Sequence, residues 1–521
     1  MPAEASSLAS IDYAIIATYM IGMMVAGIIY SRFVQSTGDF FLAGRSLPFW
    51  AIGFSIVASD IGAIDLITGS GAAYRFGVSQ ANFDWIGSVP AVLVAAFVFV
   101  PYYWRAGVYT IPEFLGRRYN AGVQWIQAVI WLAFMTTNVA IMLYMSITVL
   151  HIIFGWSTFT AVTITAILVG LYTITGGLAA VVMTDVMQIV VMFIGTGALV
   201  ALSLAEVGGW SGMQEIIAAK RGAGPDYFRL LLPHDTSAYP WSGVVFGLGL
   251  VMSTAYFSGN QAILQRALGA RSEWDAKAGM IVAGFLKLCI PLLMFVPGLA
   301  ARAILPEDLS KADAAVPELV KLLMPAGLMG LMFAAFFAAL MSSVDSYLNS
   351  CVTMFMSDIY SKIYQRVKRA PVPDDHALRL GRYLTAGLLL VAAIIAPQFA
   401  RSETIYVVLQ TTMSIFQGPT LAILLLGILW PRATGWGGLF GLIAGVLLST
   451  LLSLVGHEVF PSENIFMFVS LYSFLFAVAV TVIVSLCTAP PSPERIRGLV
   501  FGSVLRDPAS QAVLREHLHN S

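Results

Sequence analysis

Apolar runs of about 20 residues, separated by short polar stretches, recur from residue 11 to residue 487. A helix of that length matches the hydrocarbon thickness of a bilayer. The runs predict about thirteen membrane-spanning helices, near 11–31, 48–75, 81–104, 122–151, 157–175, 181–205, 240–267, 277–304, 325–361, 379–398, 403–430, 434–456 and 464–487. Two connections are long. Residues 206–239 hold GGWSGMQEIIAAKRGAG, which reads as a short surface helix and a loop. Residues 305–323 hold LPEDLSKADAAVPELVKLL, which reads as an amphipathic helix on the membrane surface. The chain after Pro490 is polar. The expectation is one transmembrane unit over 1–487 and a tail over 488–521.

Two of the runs depart from the pattern. The run at 48–77, PFWAIGFSIVASDIGAIDLITGSGAAYRFG, carries Asp60 and Asp65 near its middle among Gly62, Gly69 and Gly71. An ionisable group at mid-membrane costs about 2.5–3.5 kcal/mol on insertion scales. Two readings fit. The helix unwinds at its centre and offers carbonyls to a cation, or the glycines are packing contacts and neighbours satisfy both acids. Two carboxylates beside a glycine-rich break favour the first. The run at 240–267 is interrupted by Gly247, Gly249, Ser253, Thr254, Ser258 and Gly259, and lies five spans further on. Interrupted helices at matching places in two five-span halves point to an inverted-repeat transporter with a midplane site. The halves are expected over 48–205 and 240–430.

Composition narrows the class. Only 11% of the 521 residues are charged and 58% are hydrophobic, against about 25% charged in soluble domains. The net charge is zero and no basic run suggests nucleic acid. The three cysteines, Cys289, Cys351 and Cys487, lack metal-ligand spacing and read as packing residues. The six histidines fall at span edges, in loops or in the tail, which disfavours a membrane haem protein. MPAEASSLASID has no basic n-region, so the first apolar run reads as a retained span. Arginine and lysine crowd one set of loops, including Arg117, Arg118, Arg266, Arg271, Lys362 and Arg366. The positive-inside rule then puts the N-terminus outside and the C-terminus in the cytoplasm.

Within the spans, the ionisable residues read from the pattern are Asp60, Asp65, Asp84, Asp185, Lys287 and Asp345. Carboxylates in apolar surroundings are neutralised by protons or by cations, so this excess of acid argues for cation handling. The 325–361 run adds hydroxyls. Ala339, Ser342, Ser343 and Ser346 recur at three- and four-residue spacings, on neighbouring parts of one helix face. Hard cations want oxygen ligands. The Ala339 carbonyl and the Ser342 and Ser343 hydroxyls could face the first broken helix; equally, small residues let helices pack closely.

GLYTITGGLAAVVMTDVMQIVVMF at 170–193 resembles the signature of the sodium/solute symporter family, which includes the sodium–glucose cotransporters. GVYTIPEFLGRRYN at 107–120, NQAILQRALGARS at 260–272, FLKLCIPLLMFVPGLAA at 285–301 and the serine-rich stretch at 342–350 agree in order, so the resemblance spans roughly residues 10–485. It implies an all-helical, LeuT-like core of two inverted five-helix repeats with extra N- and C-terminal helices. It implies a sodium site made by the Ala58 and Ile61 carbonyls with Ala339, Ser342 and Ser343. By resemblance to sugar-transporting members, Asp65, Asp84, Ser253, Lys287 and Gln410 hold the solute and Tyr256 is an inner gate. Asp84 replaces a usual Glu, Asp65 stands where Gln or His is usual, Asp60 stands for Asn, and Gly87 removes a hydroxyl. In some members an acid matching Asp185 forms a second sodium site, which here would draw on Ser342, Asp345 and Ser346.

The expected function is therefore a sodium-coupled symporter in the cell membrane, carrying a sugar or polyol by alternating access, with no catalysed chemistry. Sodium is co-transported, and no nucleic acid or obligate protein partner is expected. The alternatives are another solute class (amino acid, carboxylate or a sialic-acid-like compound) and proton coupling through Asp60 or Asp345. A sensor, a channel or a membrane enzyme fits less well.

Overall fold

The computed structural model describes residues 8–501, apart from 33–35, 221–223, 225, 307–308, 310, 402–404 and 461. The end of the polar tail, from 502, lies outside the described residues. Among the described residues, ten helices are long and apolar enough to cross a membrane, and a bent pair makes an eleventh span. In chain order they are α1 (Ser10–Tyr30), the bent pair α2 (Phe49–Asp60) and α3 (Asp65–Ala81), α4 (Phe83–Ala106) and α5 (Ala121–His151). The shorter α6 (Thr158–Gly170) precedes α7 (Gly177–Glu206). The short α8 (Gly243–Gly259) and α9 (Gln261–Leu268) follow, then α10 (Glu273–Ile304), α11 (Leu328–Lys368), α12 (Asp374–Phe399), α13 (Ile405–Leu429), α14 (Gly435–Gly456) and α15 (Phe466–Cys487). The two shorter apolar helices account for the two remaining runs of the thirteen expected from the sequence.

Helix is the form that satisfies every backbone polar group within one segment, which lipid demands. Where the first N–H groups emerge, side chains take them. Asn120 accepts from the Val123 N–H (3.0 Å), Ser272 from Asp275 (3.0 Å) and Thr434 from Gly437 (3.1 Å). Helix α11 is buried over nearly all of Leu328–Met354, whereas the apolar stretches of α1, α12, α14 and α15 are buried to about a third or less. The bundle is thus wrapped around α11, which packs along α7, while α2 packs against α10.

Both irregular runs are broken. Helices α2 and α3 meet at 62° across residues 61–64. Helix α8 is wound wide, in π-type turns, over Gly243–Ser253, and is separated from α9 by Asn260 at φ −73° and ψ 115°. Gly177 breaks a third element. Its φ of +59° disfavours a side chain, and a Cβ there would lie 3.0 Å from the Phe40 backbone. The 305–323 connection corrects an expectation. Its helix, Ala315–Leu323, buries Val316, Leu319 and Val320. Val316 and Val320 line a small crevice with Ile67 and Phe333, so its apolar face seals protein rather than lipid.

Helix α1 is fastened to the start of α11 by one carboxylate. Asp12 Oδ1 accepts from the Gly327 and Gly330 N–H groups, both at 2.7 Å, and Oδ2 accepts from Ala9 N–H at 2.9 Å. Two of these donors are orphan N–H groups of the first turn of α11. Asp12→Ala is expected to destabilise the fold by about 1–3 kcal/mol. A thermal midpoint equal to wild type in purified protein would show the tether to be idle.

Candidate cation and solute site

The bend between α2 and α3 frees backbone carbonyls, those of Ala58 and Ile61 among them. The Gly62 N–H, which a continuous helix would give to the Ala58 carbonyl, goes to Asp65 Oδ2 at 3.1 Å. The Asp65 N–H goes to the Gly62 carbonyl (3.1 Å) instead of that of Ile61. Helix α11 faces this gap. The Ser342 hydroxyl donates to the carbonyls of Ala58 (2.8 Å) and Ala339 (3.1 Å). The Ser343 hydroxyl donates to the Ser59 carbonyl at 3.1 Å. A Cβ on Gly62 would sit 2.8 Å from Ser343 Oγ, so glycine is what lets the two helices close. Ala58, Ala339, Ser342 and Ser343 are therefore in one buried cluster of neutral oxygens, and buried Ile61 adjoins it at the bend. Neutral carbonyl and hydroxyl oxygens suit a small hard cation and not a soft metal.

Next to the cluster lies a cavity of about 120 Å³. Asp65, Asp84, Ser253, Tyr256, Lys287 and Gln410, the six residues expected to hold the solute, all line it, and so does Asp60. Lys287 Nζ forms ion pairs with Asp60 and, at 2.7 Å, with Asp84. Asp65 is held instead by the Gly62 N–H. The Tyr256 and Tyr347 hydroxyls meet at 3.1 Å and close one side of the cavity. Gly87 has a reason to be glycine, since a Cβ there would lie 2.9 Å from Ser253 Oγ.

Gln417, which also lines the cavity, was not anticipated. The signal was available: it lies seven residues after Gln410, two turns on along the same face of α13.

The possible second cation cage contains a guanidinium. Arg266, on α9, is fully buried and pairs with Asp185 at 2.9 Å. Its Nε donates to the Ser55 hydroxyl and its Nη2 to that of Ser59, both at 2.5 Å, and Nη2 also reaches Ser346. Asp185 Oδ2 accepts from Ser55 (2.5 Å) and Ser59 (3.1 Å) as well. Asp345 is buried beside this group and accepts from Ser346 at 3.3 Å. The structure thus brings Asp185 and Ser346 together, but around a protein cation. Ser342 turns its hydroxyl to the first cluster. The sequence-based inventory, with Lys287 as the only base inside the spans, is corrected by Arg266. Its place at the edge of the 240–267 run made it read as a loop charge.

Known proteins resemble this chain in sequence and in fold. Residues 40–445 match the Sodium:solute symporter family. The chain is 32% identical over 508 residues to a sodium/glucose cotransporter of Vibrio parahaemolyticus, covering 92% of this chain and 91% of that one. It is 30% identical over 556 residues to the sodium/myo-inositol cotransporter of Bos taurus, covering 95% and 76%. Among solved structures, a Na+-coupled sialic acid symporter in a substrate-bound, outward-open state superposes with a TM-score of 0.81 at 21% identity, over 93% of this chain and 99% of that one. A nucleobase-cation-symport-1 family transporter superposes with a TM-score of 0.57 at 13% identity, over 88% and 97%. The fold is the LeuT-like one, and the protein is a multi-pass membrane transporter. By the match over most of its length and by its cotransporter relatives, the chain belongs to the sodium:solute symporter family.

Proposed function

We propose that this protein is a sodium-coupled symporter that carries a small polyhydroxylated solute, a sugar or a polyol, by alternating access. The observation that carries the reading is the adjacency of two sites on one broken helix: the neutral-oxygen cluster at Ala58, Ile61, Ala339, Ser342 and Ser343, and the polar cavity beside it. Relatives that are sodium/glucose and sodium/myo-inositol cotransporters support the solute class. Sodium is the coupling ion and is bound by carbonyl and hydroxyl oxygens, replacing the hydrogen bonds that Ser342 and Ser343 now give to α2.

Coupling needs sodium to bind the two access states differently, since equal binding shifts nothing. The geometry offers a route. Ser343 and Tyr347 lie four residues apart on α11, so an ion that draws α11 onto α2 also moves the Tyr347 hydroxyl against Tyr256 on α8. With Arg266 against Asp185 and Ser346, one sodium ion per solute is the expected stoichiometry. The inverted repeats span 48–205 and 240–430. The chain sits in the cell membrane with its N-terminus outside and its C-terminus cytoplasmic, and it catalyses no covalent step.

The test is uptake of radiolabelled glucose and myo-inositol into proteoliposomes under an inward sodium gradient, with choline as the control cation. Sodium-dependent uptake of either supports the reading; equal uptake in choline sinks it. Ser343→Ala removes one cation ligand and keeps helix propensity high. It is expected to raise the sodium concentration for half-maximal uptake by about tenfold, the equivalent of about 1.4 kcal/mol. An unchanged sodium dependence would remove Ser343 from the cation site.

A further inference from the structure

Among the described residues, four charged side chains line the solute cavity: Asp60, Asp65, Asp84 and Lys287. The single ammonium is committed to two of the acids, Asp60 and Asp84. Asp65 is not among its ion-pair partners within the described residues; its Oδ2 accepts from the Gly62 N–H and its side chain lines the cavity. Three carboxylates against one ammonium leave the wall short of positive charge. A buried carboxylate is stabilised by a proton, a metal cation or an organic cation, and water alone serves it poorly at low dielectric.

A second observation comes from α13. Gln417 is fully buried on α13 and lines the same cavity, and neither Oε1 nor Nε2 has a hydrogen-bond partner among the described residues. A primary amide with both ends unpaired is costly to bury, and it is matched by a ligand offering a hydroxyl to each end. The cavity thus presents a carboxylate on α3 and an amide on α13.

We propose that the preferred solute is a polyhydroxylated compound bearing a protonated amine, an amino sugar or amino polyol, with its ammonium on Asp65 and its hydroxyls on Gln417. An anionic solute, such as a sugar acid, meets an acid-rich wall and is selected against. A neutral sugar fits the hydroxyl contacts and leaves Asp65 unmatched. This inference rests on the polyol-symport reading above and adds to it the charge of the solute.

The test uses the purified protein in sodium-containing buffer at neutral pH, where the amine is largely protonated. Binding of D-glucosamine, N-acetyl-D-glucosamine and D-glucose is titrated by intrinsic fluorescence and by thermal shift. Glucosamine is expected to bind at least about tenfold more tightly than either neutral probe. The isosteric Asp65→Asn should bring the three within about twofold of one another, and Gln417→Leu should weaken all three by a similar factor. Equal affinities for glucosamine and glucose in wild type overturn the inference, and so does a preference that survives Asp65→Asn unchanged. A wild-type preference stands as a test even if a variant fails to fold. Sodium-dependent glucose binding without an amine preference removes this inference and leaves the polyol reading intact. No response to any of the three probes removes both.

Discussion

Arg266→Ala is expected to be the most damaging single change in the bundle, lowering stability by about 3–5 kcal/mol, because it leaves Asp185 buried without its counter-charge. The loss extends beyond one pair. The guanidinium joins Ser55 and Ser59 of α2, Asp185 of α7 and Ser346 of α11. Three helices therefore lose a shared donor at once. Arg266→Lys keeps the charge, but a lysine ammonium has no planar fork and cannot hold the same acceptors in the same geometry. It is expected to fold with a lower thermal midpoint and a raised sodium requirement, since Ser59, whose carbonyl receives the Ser343 hydroxyl, is no longer fixed. Removing both charges in Arg266→Met with Asp185→Asn should recover much of the stability lost in Arg266→Ala, as buried pairs replaced together often do. The measurement is the thermal midpoint of purified protein, with sodium-activated uptake alongside. An Arg266→Ala protein that melts with wild type would mean that the guanidinium does not hold these helices together.

The same residue marks where sequence reading stopped. The spans were legible because lipid imposes a length and a composition on each, and the two breaks were legible because acids and glycines in mid-span contradict that rule. The cluster around Ser342 and Ser343 followed from helical spacing together with family resemblance, and the structure brings those side chains to the α2 break. Partner choice was not legible. Lys287 reaches Asp60 and Asp84 because α10 packs on α2 and α4, and that packing joins residues 203 positions apart in the chain in the case of Asp84. Arg266 read as a loop charge because it falls at the very end of the 240–267 run, yet α9 folds inward after Asn260 and buries every residue of its length. A polar helix that follows a break inside the bundle carries no hydropathy signal.

Lys287→Gln is expected to abolish solute binding, by about a hundredfold or more, while leaving sodium binding in place. Among the described residues, the ammonium is the single positive group on a wall that also carries Asp60, Asp65 and Asp84. Removing it sets carboxylates against one another in a buried space, and the loss of one partner from a buried pair is costly. A hundredfold loss corresponds to about 2.7 kcal/mol, less than such a disruption usually takes. The sodium cluster is built from other groups, with Ala58, Ser342 and Ser343 joined by neutral hydrogen bonds. Sodium should therefore still raise the thermal midpoint of the variant, since a ligand that binds only the folded state stabilises it. A purely structural role for Lys287 makes a different prediction. In that case Lys287→Gln combined with Asp60→Asn and Asp84→Asn relieves the charge imbalance and restores solute binding to near wild type. If the ammonium touches solute, the triple variant recovers its stability and not its affinity. Restored affinity would therefore assign Lys287 to the scaffold, whereas loss of the sodium response in Lys287→Gln would mean that the two sites are not separable. Asp60 gives that second outcome a physical route, because it follows Ser59 directly in the chain and joins the wall of the cavity to the helix end that faces the cation.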